Sequence, residues 1–123
     1  MTLDHVGLQV SQLERSTAFY DALFEPLGLA RRAEVQGWRG YGVRRERVSF
    51  WIGVAAEPPR ATHVAFEVAT RAAVERFHDA ACAIGARIRS APALRPEYHE
   101  HFYSAMAFDP DGHNIEVVCH AAP

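Results

Sequence analysis

The sequence repeats itself at a fixed offset of 58 residues. His5-Val6-Gly7-Leu8-Gln9-Val10 leads into a segment containing Phe19-Tyr20-Asp21-Ala22. His63-Val64-Ala65-Phe66-Glu67-Val68 leads into one containing Phe77-His78-Asp79-Ala80. The identities His, Val, Val, Phe, Asp and Ala recur in register. A chain made of two copies of one unit is restricted to folds in which both copies form the same elements in the same order. Each copy opens its first apolar run on a histidine, so each brings an imidazole to the same structural place. Two histidines related by a pseudo-two-fold axis suggest a metal shared between the halves.

Length and composition narrow the class. At 123 residues the chain is expected to form a single domain over 1–123, with units 1–56 and 61–120 as an internal duplication. Apolar content of 49% and charged content of 23% are ordinary for a soluble globular protein. A formal net charge of −2 argues against a nucleic-acid or anionic-membrane partner. All 13 basic residues are arginine, so neither a Schiff-base lysine nor a P-loop lysine is available. Cys82 and Cys119 are isolated thiols without CxxC spacing, which reads as buried free cysteine. No apolar run is long enough to span a bilayer, and the chain opens directly on a strand. A cytoplasmic location is the simplest expectation.

Periodicity then places the elements. Residues 3–10 alternate as a strand. Ser11-Gln12-Leu13-Glu14 matches a capping box, with Ser11 as the expected N-cap of a helix running to Pro26. Residues 29–36, 38–44 and 47–55 read as three short strands, and 55–60 as a linker. The pattern restarts with a strand over 62–69 and a Thr70-capped helix over 71–84, ended by Gly85. A strand over 86–90, a polar loop over 91–100, a strand over 101–109, a turn at Asp109-Pro110-Asp111-Gly112 and a strand over 113–120 complete it. Each half is βαβββ. The expected fold class is therefore α+β, with two βαβββ units pairing their curved mixed sheets around a cleft. If His5 faces that cleft, so do Gly7 and Gln9; if His63 does, so do Ala65 and Glu67. On the last strand Glu116 shares its face with Asn114 and Val118.

These residues resemble the vicinal oxygen chelate superfamily, which includes glyoxalase I, fosfomycin-inactivating thiol transferases, extradiol dioxygenases and bleomycin-resistance proteins. The resemblance is carried by His5-Val6-Gly7-Leu8, Phe19-Tyr20, His63-Val64-Ala65-Phe66 and Asp109-Pro110-Asp111-Gly112-His113-Asn114-Ile115-Glu116, and covers essentially the whole chain. Arg95-Pro96-Glu97-Tyr98-His99 with Phe102-Tyr103 is similar to a bacterial glyoxalase-like subgroup. The resemblance implies His5, His63 and Glu116 as ligands of a divalent metal ion (Zn, Mn, Ni or Fe). It also implies a small-molecule substrate and a homodimer. In the family a fourth ligand, where present, comes from the last strand of the first unit; here Trp51 stands there, and an indole cannot ligate a metal.

Two imidazoles and a carboxylate with open coordination positions suit a Lewis acid that takes two substrate oxygens. The expected function is a metal-dependent isomerase, lyase or thiol transferase acting on a small oxygenated substrate. The alternatives are a metal-free sequestering protein of the bleomycin-resistance type and an extradiol dioxygenase. His99 and His101 flank Glu100 in a polar loop and are candidate catalytic acid–base groups. Tyr103 shares alternation with His101 and is a candidate substrate hydrogen-bond donor. Gln9 and Glu67 are candidate supports for the histidines. Trp38, Tyr41 and Trp51 form either an aromatic wall or core filling.

Overall fold

The computed structural model describes residue 1 and residues 3–123. The chain divides into two compact units, Met1–Arg60 and Ala61–Pro123.

The first unit runs β1 (Val6–Val10), α1 (Leu13–Phe24), a 3-10 turn (Glu25–Leu27), β2 (Ala30–Val35), β3 (Trp38–Arg44) and β4 (Arg47–Val54). Its sheet has the order β1-β4-β3-β2, with β1 parallel to β4 and the other pairs antiparallel. The second unit repeats the plan with β5 (His63–Glu67), α2 (Arg71–Ala83), β6 (Arg87–Leu94), β7 (Tyr103–Phe108) and β8 (Asn114–Cys119), in the order β5-β8-β7-β6. Each half is βαβββ, as the duplicated pattern requires. In each, the first and last strands lie side by side and parallel.

Both helices end in the same way. Gly28 and Gly85 take φ near +73° and +72°. Around them, Gly28 N–H bonds Glu25 O and Leu29 N–H bonds Phe24 O, while Gly85 N–H bonds Cys82 O and Ala86 N–H bonds Ala81 O. This paired closure satisfies carbonyls left over at a helix C-terminus, and the positive φ favours glycine. The starts differ. Thr70 caps α2 as expected, its hydroxyl accepting from Ala73 N–H. Ser11 does not cap α1: the N-cap is Gln12, without a side-chain cap bond. Ser11 instead accepts from Arg15, and Glu14 is engaged by Arg39 at 2.7 Å.

Strand alternation sends one face of each sheet to its helix. In the first unit Leu8, Val10, Tyr41, Phe50 and Ile52 are buried, as are Tyr20, Leu23 and Phe24 of α1. Tyr20, Phe24, Tyr41 and Phe50 stack with ring centroids 5.0–6.3 Å apart. Tyr41 is therefore core. Its hydroxyl donates to Asp21, and burial, then the bond to that carboxylate, pushes the phenol well above its usual range. The second unit buries Ala105, Ala107, Ile115, Val117 and Cys119, together with Ala73, Val74, Phe77 and Ala81 of α2. Of the two free thiols, Cys119 is buried as expected and Cys82 is exposed.

Strand β6 continues to Leu94, through residues expected to be loop. It is an edge strand, and its pairing with β7 shifts register twice, between Ile88 and Ser90 and between Ser90 and Ala93. An edge position with bulges is where a strand tolerates a proline such as Pro92. At the other end β7 begins only at Tyr103, so 101–102 belong to the preceding turn. No helix is long and apolar enough to cross a membrane among the described residues.

Candidate metal centre

The sheet face turned away from α2 carries the second unit's ligand-type residues. Register pairs His63 with Asn114, and Ala65 with Glu116. His63 Nδ1 lies 3.1 Å from the backbone carbonyl of Asn114, and His63 Nε2 lies 3.1 Å from Glu116 Oε1. The carbonyl can only accept, so Nδ1 holds a proton. A neutral ring then aims its Nε2 lone pair at a carboxylate oxygen. Such a contact needs a cation at Nε2, either a proton or a metal ion. With N and O bonds of about 2.0–2.2 Å, neighbouring ligand atoms on one ion stand roughly 2.9–3.4 Å apart. The observed separation already has that spacing.

Glu116 is held deeply, its side chain 7% exposed, whereas that of His63 is 51% exposed. Beside them Asn114 donates its amide to Met106 Sδ at 3.5 Å, and its Oδ1 is buried without a hydrogen-bond partner. The donor set (imidazole nitrogen, carboxylate oxygen, unpaired amide oxygen) fits a borderline divalent ion. Within this unit no third His, Cys, Asp or Glu joins the pair to make a group of three, among the described residues.

The turn before β8 sets this geometry. Asp109 Oδ1 accepts from the N–H groups of Asp111 and His113, and Gly112 takes φ +87°. His113 is buried, and its Nδ1 accepts from Thr62 N–H at 2.9 Å, which ties the residue before His63 to the residue before Asn114. His113 was readable as a member of the Asp-Pro-Asp-Gly-His turn, but its partner across the sheet has no local signal.

In the first unit His5 stands one residue before β1, and its Nδ1 bonds Asp4 Oδ1 at 2.7 Å. A carboxylate on Nδ1 orients an imidazole and leaves Nε2 for a ligand. Trp51 pairs with Gly7, the duplicate of Ala65, and so occupies the register position that Glu116 holds in the second unit. A cavity of about 520 Å³ lies over this face, lined by His5, Gly7, Val35, Gln36, Trp38 and Trp51. Gln9 and Glu67 occupy the same faces as His5 and His63 in their respective sheets.

The loop candidates are placed differently from their spacing. His99 pairs with His120, not with His101: Nε2 and Nδ1 are 2.8 Å apart and the rings stack. His99 Nδ1 accepts from His101 N–H, so its Nε2 carries the proton given to His120. His101 turns to Glu100 at 3.5 Å. Tyr103 lies on the helix side of β7, opposite to Glu116. Its hydroxyl bonds Glu75 of α2, Arg71 lies over its ring, and burial, then that bond, raises its phenol. The structure thus brings together His63, Glu116 and Asn114, and does not bring Tyr103 to their side of the sheet.

Two copies of one βαβββ unit, each with its first and last strands parallel, define the architecture of this chain. The chain belongs to the Glyoxalase/Bleomycin resistance protein/Dioxygenase superfamily, whose defining sequence pattern matches residues 2–117. Among solved structures it is similar to a glyoxalase/bleomycin resistance protein from Albidiferax ferrireducens, at 27% identity over 94% of this chain and 97% of that one, with a TM-score of 0.82. A fosfomycin resistance protein from Listeria monocytogenes shares 19% identity over 98% of this chain and 94% of that one, with a TM-score of 0.74. A family enzyme from Burkholderia phytofirmans shares 20% over 98% and 100%, also at 0.74. The last two likenesses establish the fold alone. No functionally curated protein matches the chain.

Proposed function

We propose that the protein is a glyoxalase-like metal-dependent enzyme acting on a small oxygenated substrate. The observation that carries the reading is the 3.1 Å approach of His63 Nε2 to Glu116 Oε1, with His63 Nδ1 fixed on a backbone carbonyl. His63 and Glu116 would hold a divalent ion (Zn, Mn, Ni or Fe); the family resemblance extends the ligand set to His5. When bound, the ion supplies Lewis acidity to substrate oxygens. By the same resemblance a fourth ligand would come from the position of Trp51, and an indole supplies none, which suits coordination left open for those oxygens.

The chain's own residues do the rest. Asn114 O and Asp4 fix the two rings and their tautomers. The buried Glu116 is held as an acceptor beside His63. Asn114 Oδ1, buried without a partner beside them, is a further oxygen donor for the ion. Isomerase, lyase and thiol-transferase chemistry all fit this set. The family resemblance extends the reading to a homodimer.

The test is elemental analysis of protein purified without chelators, followed by titration with Zn²⁺, Mn²⁺, Ni²⁺ and Fe²⁺. One bound ion per chain is expected, lost in His63→Ala and Glu116→Ala. Protein that carries no transition metal and binds none on titration overturns the reading.

A further inference from the structure

The first unit holds two tryptophans that its core does not use. Its core aromatics, Tyr20, Phe24, Tyr41 and Phe50, lie on the α1 side of the sheet. Trp38 and Trp51 lie on the other side, both partly exposed, and on β1, β3 and β4 their cross-strand neighbours are glycines, while Val35 flanks Trp38 on β2. Trp38 pairs with Gly53; Trp51 pairs with Gly7 on one flank and Gly40 on the other. A Cβ on Gly53 would stand 2.5 Å from Trp38 Cδ2, one on Gly40 2.8 Å from Trp51 Cε3, and one on Gly7 3.3 Å from Trp38 Cζ3. Only rings laid down over the backbone come this close. Trp38 on β3 therefore lies across Gly53 on β4 and reaches Gly7 on β1.

Laid flat, an indole turns a π-face away from the sheet. An aromatic that merely shields a cross-strand glycine needs no free space above it. Here the cavity of about 520 Å³ lies over both rings, and besides the indoles the polar side chains lining it, among the described residues, are His5 and Gln36. Gln36 is held at its rim by the two-residue turn Gln36-Gly37, with φ of 51° and 84°. A planar apolar floor with two polar groups at its margin suits one kind of guest: a flat ring carrying oxygen.

We infer that Trp38 and Trp51 form a ring-binding floor, and that the substrate is an aromatic or heteroaromatic compound whose oxygens extend towards His5. This deepens the function proposed above and rests on it only for the placing of the oxygens.

Both tryptophans of the chain lie in this floor, so their emission reports on it alone. The probes are 2-naphthol and its saturated counterpart trans-2-decalol, titrated by calorimetry and by tryptophan emission. Naphthol should bind at least about tenfold more tightly than decalol and change the emission. Trp38→Leu and Trp51→Leu should each weaken naphthol about tenfold and leave decalol unchanged. Gly53→Ala keeps both indoles but lifts Trp38, and should weaken naphthol as well. Equal affinities for the two probes, no binding of naphthol, or naphthol saturation without an emission change overturns the inference without any variant being needed. Repeating the titration in EDTA separates the two ideas. Naphthol selectivity in a protein that binds no metal keeps the floor and removes the enzyme reading. A bound metal without naphthol selectivity does the reverse.

Discussion

The two units share one backbone plan and differ most on the sheet face that does not meet the helix. In the first, Gly7 pairs with Trp51 and Gly53 with Trp38. At the same register in the second, Ala65 pairs with Glu116 and Val118 with Ser104. The large and the small residue of the second pair have changed strands. One face became flat, aromatic and nearly free of charge; the other gathered an imidazole, a carboxylate and an amide. The difference teaches that the residue at each register position, not the fold, assigns the chemistry: where Trp51 lies between Gly7 and Gly40, Glu116 lies between Ala65 and Met106.

The helix sides differ as well, and the largest expected effect lies there. Phe77 is the only aromatic among the buried hydrophobic residues of the second unit, in a core otherwise supplied by small and aliphatic residues. Phe77→Ala should destabilise by about 3–5 kcal/mol. Phe24→Ala, ringed by Tyr20, Tyr41 and Phe50, should fall at the lower end of that range, as read from urea unfolding. Equal losses would mean that the aromatic cluster cannot relax into the gap.

Next is the pair proposed to hold the metal. Glu116→Gln should weaken metal binding by at least about 100-fold, more than loss of an outer-shell partner does. The change is read by calorimetric titration with Zn²⁺, and an unchanged affinity would remove Glu116 from the ligand set.

Glycine substitution gives a smaller contrast. Gly53→Ala forces a Cβ against Trp38 and should cost about 1–3 kcal/mol, whereas Ala65→Gly should cost about 0.5–1 kcal/mol. Comparable losses in thermal unfolding would show that the Trp38 ring yields easily. The smallest contrast is at the helix starts. Thr70→Ala should lose about 1 kcal/mol with its cap bond, and Gln12→Ala only a few tenths, since Gln12 caps nothing.

Much of this was legible in the residues. The 58-residue offset, the alternation of the strands, Thr70 before α2 and the glycines after both helices all act locally or by simple repetition. The failures were long-range. Ser11 has the chemistry of a cap, but Arg39, arriving from β3, takes Glu14 away from the box. Pro92 reads as a strand breaker, yet β6 passes through it because an edge strand can forgo one amide. His101 and Tyr103 look like residues of one face, but the strand begins only at Tyr103, so alternation does not connect them. His99 meets His120 because the chain end returns beside the 95–102 loop. At the candidate site the residue types were readable. The roles of Asn114 O, Asn114 Oδ1 and His113 depend on which strands pair, and so does the flattening of the two indoles.

One consequence follows from the parallel pairing of first and last strands. His63 and Asn114 are 51 positions apart, and β8 is the last strand of its unit. Closing so long a loop is entropically slow compared with forming the hairpins between. The histidine–glutamate contact should therefore be among the last to assemble, during synthesis as in refolding. Metal uptake would then serve as a clock: an ion captured in the pair reports a unit whose final strand is home.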